Sequence, residues 1–216
     1  MRSVLVGVMC AATVVAAAGC SDNGTPNMDA PAVEDTSAYE ALVRIVNETV
    51  TDIGTTWKGL GAPAVSMQMQ SFRDGESSPE CGGVTVTTTS VCFYTTPPLL
   101  NWNRDDMVSL KESGGPLAPV ITLAREYGRI LLAAENVAYS GHVPALQAEC
   151  LAGVYVHERG DQYVDDVSAA LENAYEVTAS DAIDPEFKLQ RKVAFYTFVR
   201  TDAGTNPLQG CMDTRF

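Results

Sequence analysis

Histidine is nearly missing from this chain: His142 and His157 are the only two in 216 residues. One lies in a Ser-Gly-His turn and the other beside Glu158, with no helical pairing between them, so both read as surface or capping residues rather than ligands to a shared ion. Basic residues are also scarce, 14 against 27 acidic ones for a net charge of −13, and no Lys/Arg cluster occurs. This argues against binding nucleic acid or an anionic lipid surface by charge attraction. There is no G-x-S-x-G elbow, no Cys-x-x-Cys pair for a thiolate zinc cluster, and no internal repeat. Glu48, Glu76, Glu80 and Asp105-Asp106 read as solvated acids, and nothing nominates two of them as a glycosidase pair. Val4 to Ala18 is the one long apolar run, too short and too sharply ended for an ordinary membrane-spanning helix.

What is present is a globular balance, 46% apolar and 19% charged, enough for one domain with a core. Arg2, the apolar run and the junction Ala17-Ala18-Gly19-Cys20 before Ser21-Asp22-Asn23-Gly24 resemble a bacterial lipobox. The resemblance implies a signal peptide over residues 1–19 and acyl chains on Cys20. It places the protein at the cell membrane, lipid-anchored on the extracytoplasmic face. Several acyl chains, at roughly 0.8 kcal/mol per buried methylene, make a durable anchor. With Cys10 removed and Cys20 lipidated, Cys81, Cys92, Cys150 and Cys211 remain. An even number in an exported protein favours two disulfides, with three pairings open. Each cysteine thus has a structural or lipid role before a nucleophilic one.

Residues 20–36, rich in Pro, Gly, Asn, Asp and Thr, read as a flexible tether, and residues 37–216 as the domain. Ser37 and Glu40 form a capping box for a helix carrying Leu42, Ile45, Val46, Thr49 and Ile53 at helical spacing, with Gly54 as its stop. Ala64 to Phe72 and the β-branched run from Val84 look extended, and Pro97-Pro98 forces a turn. Four helical stretches follow: Pro116 to about Asn136, Pro144 to about His157, Asp165 to about Thr178, and one capped by Asp184 with Phe187, Arg191, Ala194 and Phe198 on one face. The fold class is α+β, a small sheet packed with helices.

Leu123-Ala124-Arg125-Glu126-Tyr127-Gly128-Arg129 resembles the Leu-Ala-His-Glu-Tyr-Gly-His stretch of the neutral zinc metallopeptidase family. Leu146-Gln147-Ala148-Glu149-Cys150-Leu151-Ala152-Gly153-Val154-Tyr155 resembles its Glu-Leu-Gln-Ala-Asp-Cys-Leu-Ala-Gly-Val-Trp segment. Cys81-Gly82, Val91-Cys92-Phe93-Tyr94, Trp57 and the order Arg191, Phe195, Gly204, Cys211 also fit, so the likeness covers roughly residues 37 to 212. It implies a zincin-like fold. In that family two histidines four residues apart, roughly 40° around a helix, reach one zinc ion. The glutamate between them is the general base for a zinc-bound water, and a glutamate on the next helix is the third ligand. The resemblance also implies a Cys150–Cys211 disulfide tying the second helix to the chain end. Cys81–Cys92 is the other expected bond, closing a short β-branched loop.

This chain departs from the family at every ligand. Arg125 and Arg129 replace the histidines, and Ala145 replaces the third-ligand glutamate. Glu126 keeps the base position, expected to be inactive without the metal, and Glu149 keeps a carboxylate beside the site. Guanidinium has no free lone pair and stays charged below a pKa of about 12, so it cannot ligate a cation. Zinc is expected to be lost, with no cofactor in its place. A carboxylate site of Glu126, Glu135 and Glu149 would lie beside two arginines. The bland role for Arg125 and Arg129 is to fill the vacated space by pairing with Glu126 and Glu149. The expectation is an envelope lipoprotein that binds a peptide or protein partner without catalysis, a pseudopeptidase. The alternative is a peptide hydrolase with an unorthodox metal site.

Overall fold

In the computed structural model the described residues are 36–137, 141–179, 184–199 and 206–214. The expected signal peptide, Cys20 and nearly all of the expected tether lie outside them. Helix α1 (Thr36–Gly59) starts two residues before the capping box implies, so Ser37 lies within it rather than at its cap. It buries Leu42, Ile45, Val46, Thr49 and Ile53, the helical-period face read from sequence, and carries that face on to the buried Trp57. Gly54 does not stop it. A Cβ there would lie 3.3 Å from the Tyr127 hydroxyl, so Gly54 provides room for a neighbouring helix instead. The helix ends at Gly59 and the chain turns at Gly61, whose φ of +85° only glycine adopts freely, with Ala62 N–H donating to Trp57 O at 2.9 Å.

Strand β1 (Gln68–Phe72) runs parallel to β5 (Leu99–Asn103), and β4 (Ser90–Cys92) pairs antiparallel with the other side of β5. The sheet order is β1-β5-β4, so β4 is an edge. Strands β2 (Glu80–Cys81) and β3 (Val84–Thr85) form a separate hairpin. The β-branched run from Val84 is therefore strand for only two residues. Beyond it, Asn103 takes the chain: its Nδ2 donates to Thr87 O at 3.0 Å, and its N–H donates to Thr89 Oγ1 at 3.1 Å. Alternation along β5 turns Leu100 and Trp102 into a core with Leu42, Val46, Met107 and Leu123.

Asn103 also caps α2 (Arg104–Gly114), its Oδ1 accepting from Asp105 N–H at 2.9 Å and Asp106 N–H at 3.3 Å. Sequence reading missed this helix, although Asn followed by two aspartates is a helix-start signal. It also missed α7 (Pro207–Asp213), capped by Asn206. Helices α3 (Leu117–Ala134), α4 (His142–Arg159), α5 (Val167–Thr178) and α6 (Pro185–Val199) match the four expected stretches. Asp166 rather than Asp165 caps α5, and Asp184 caps α6 through Glu186 N–H at 3.0 Å.

Glycines let the central helices meet at backbone distance. A Cβ on Gly128 of α3 would lie 3.2 Å from Ala148 O of α4, and one on Gly153 of α4 only 2.1 Å from Phe195 O of α6. These approaches align the α3 and α4 side chains that carry the candidate site. Disulfides join Cys81 to Cys92 and Cys150 to Cys211, with Cα–Cα distances of 5.4 and 5.7 Å. Both expected pairings are present. The architecture is α+β, as read from sequence. Among the described residues no helix is long and apolar enough to cross a membrane.

Candidate functional site

Arg125, Glu126 and Arg129 project from α3, Glu149 from α4 and Arg191 from α6. Arg125, Glu149 and Arg191 are all buried, with Glu149 fully inaccessible. Glu149 Oε1 accepts from Arg191 Nε at 2.7 Å and lies 2.6 Å from Arg191 Nη2. Arg125 Nε sits 2.7 Å from the same oxygen, but its N–H is not directed there, so this contact is an ion pair rather than a hydrogen bond. The two terminal nitrogens of Arg125 reach Thr178 O at 3.4 and 3.5 Å. Beneath the cluster, burial and then the Glu149 charge push the Tyr175 hydroxyl well above its ordinary pKa, so it stays protonated.

Glu126 makes different contacts. Its Oε2 accepts from Val91 N–H on edge strand β4 at 3.1 Å, and its Oε1 lies 3.6 Å from Arg129 Nε. The carboxylate at the base position thus pins a strand to α3. Arg129 keeps about a third of its side chain exposed. It faces an open groove of about 860 Å³ that Arg125 and Glu126 also line, together with Asp106 of α2 and Lys188 of α6.

The remaining sequence candidates lie elsewhere. Ala145 sits half-buried in the first turn of α4 and is not among the groove's lining residues. Glu135 is exposed at the end of α3, nine residues and about 13 Å along the axis from Glu126, so the three-carboxylate arrangement does not form. His142 stacks on Phe187 with ring centroids 4.5 Å apart, and His157 pairs with Glu158 at 3.4 Å. They stand near opposite ends of α4, separated by about 22 Å. A second cavity of about 530 Å³, beside His157, Glu158 and Asp161, holds none of Arg125, Glu126, Arg129, Ala145 and Glu149.

The residues present do not fit zinc. Arg125 and Arg129 have no lone pair to give, Ala145 has no donor, and Glu149 Oε1 is shared by two guanidiniums. Among the described residues no group of three or more His, Cys, Asp or Glu side chains could hold a metal ion. Arg191 is the partner that sequence reading left unassigned. Its signal was there: an arginine on the face of α6 that also carries Ala194 needs a buried carboxylate opposite it. No family model, curated protein or solved structure matches the chain.

Proposed function

We propose that this chain is a lipid-anchored envelope protein built on a zincin-like metallopeptidase plan, in which an ion cluster replaces the metal and the cleft binds a peptide or protein partner without hydrolysing it. The observation that carries this reading is the Arg125–Glu149–Arg191 cluster. It contains Arg125, which stands at one of the positions where the family resemblance puts a zinc ligand, and its cationic side chains are supplied by the protein itself. Without a metal, water keeps a pKa far above the neutral range to which zinc coordination lowers it. Glu126, already hydrogen-bonded to Val91 N–H, is a poor base for such a water. A buried ion pair seldom adds net stability, and its role here is to fix the packing of α3, α4 and α6 around a retained groove.

The test is zinc per folded molecule in protein purified without chelators, together with hydrolysis of casein and short peptides. The expected result is no stoichiometric zinc and no cleavage above background. Stoichiometric zinc that disappears in Glu126→Gln or Glu149→Gln would overturn the reading in favour of an unorthodox metallopeptidase.

A further inference from the structure

Two charges in the groove lack ordinary partners. Among the described residues Arg129 has a single ion-pair contact, at 3.6 Å, beyond hydrogen-bond distance, and about a third of its side chain is exposed. Among the described residues no hydrogen bond or ion pair reaches the Asp106 carboxylate. Its surroundings are hostile to charge: burial first, then Asp74 and Asp105, push its pKa up. Lys188, by contrast, is committed to Glu176 at 2.9 Å. A ligand with one carboxylate and one ammonium would supply what both groups lack.

The rest of the lining narrows the class. Among the described residues it includes the hydroxyls of Thr88, Ser109 and Ser113, has Leu110 and Val177 as its apolar members, and contains no aromatic ring. A groove without rings offers no stacking platform for a sugar and little apolar surface for a hydrophobic ligand. A long peptide would ordinarily add to an edge strand through main-chain hydrogen bonds. Strand β4 spans only three residues, and its Val91 N–H is already taken by Glu126. Recognition therefore shifts from the middle of a peptide to its ends.

The geometry points to a site for short peptides with free termini, the carboxylate held by Arg129 and the ammonium by Asp106. This rests on the binding-protein reading above and specifies its ligand. A library of Ala/Ser/Gly tetrapeptides with free termini is the probe, compared by saturation-transfer NMR with the same library N-acetylated, C-amidated or blocked at both ends. The free library should bind, and either block should weaken binding at least about tenfold, the loss expected for one charged hydrogen-bonded contact. Arg129→Gln should abolish the effect of amidation, and Asp106→Asn that of acetylation, with circular dichroism confirming the fold. Equal binding of the doubly blocked library would overturn the end-recognition inference while leaving a peptide-binding protein. Absence of binding by every library would also overturn it. Cleavage of the free library would instead overturn the non-catalytic reading. The blocking comparison uses the unsubstituted protein, so it decides even if a variant misfolds.

Discussion

Arg191 Nη2 lies 2.6 Å from Glu149 Oε1, and Arg125 Nε approaches the same oxygen at 2.7 Å. One carboxylate thus holds two helices onto a third. Glu149→Gln keeps the shape and removes the charge that both guanidiniums face. Breaking a buried pair in this way costs about 3–5 kcal/mol. Arg125→Met should cost less than half as much, because Arg191 remains against Glu149. Urea denaturation of the two variants checks the order. Equal losses would mean that Arg191 does not compensate the carboxylate.

A second ion pair makes stability depend on pH. Asp52 of α1 accepts from Arg159 Nε at 2.8 Å and from Tyr155 Oη at 3.1 Å. The Arg159 hydrogen bond, outweighing burial, holds the Asp52 carboxyl below its ordinary value of 3.8. A carboxyl with a depressed folded pKa contributes stability that is present above the unfolded pKa and lost as pH falls through the folded one. Acid unfolding of the parent should therefore steepen below about pH 4. Asp52→Asn should be less stable at neutral pH and show a shallower acid slope. Thermal melts from pH 2 to 7 measure both.

The central site shows how far sequence reading reaches. The i, i+4 spacing of Arg125 and Arg129 placed both on one stretch of α3, and the helix was legible because its apolar pattern is almost unbroken. Glu149 as a neighbouring carboxylate was legible from the second motif. The division of partners was not. Arg125 pairs with Glu149 and Arg129 with Glu126 because α4 packs against α3 at Gly128, a tertiary approach without a local signature. Helix α2 was missed for a related reason. Its sequence is polar, Arg-Asp-Asp-Met-Val-Ser-Leu-Lys-Glu, and the cap provided by Asn103, not an apolar stripe, sets its start.

The two disulfides should differ in worth. Cys150–Cys211 closes a separation of 61 residues and Cys81–Cys92 one of 11. Loop-closure entropy assigns them about 4 and about 3 kcal/mol respectively. Cys150→Ala with Cys211→Ala should lower the denaturation midpoint more than the other double variant. A reversed order would locate their effect in native packing rather than the unfolded chain.

Attachment through Cys20 is tested by fractionation. Cys20→Ser should move the protein from the membrane to the soluble fraction, because the polar residues that follow the junction offer no other anchor. Unchanged membrane association in that variant would reject the lipobox reading.

The ligand set of the metallopeptidase family that the sequence resembles is three substitutions away: Arg125→His, Arg129→His and Ala145→Glu. The helix still places positions 125 and 129 one turn apart on one face, so the triple variant should bind zinc where the parent does not. Glu149 would not be stranded by the change, since Arg191 remains 2.6 Å from its Oε1. The weak point is position 145, which sits in the first turn of α4 and does not line the groove. A glutamate there must reach across from a helix end that His142 and Phe187 hold by ring stacking. Two histidines without that third ligand should bind zinc more weakly. The double variant Arg125→His/Arg129→His is therefore the proper reference. Zinc per folded molecule, measured by metal analysis after dialysis, should rise from parent to double to triple variant. Hydrolysis need not follow, because Glu126 is still held by Val91 N–H and Glu149, the carboxylate that would orient a ligand at position 125, is shared with Arg191. Equal zinc in the double and triple variants, both folded, would show that the third ligand does not belong at position 145.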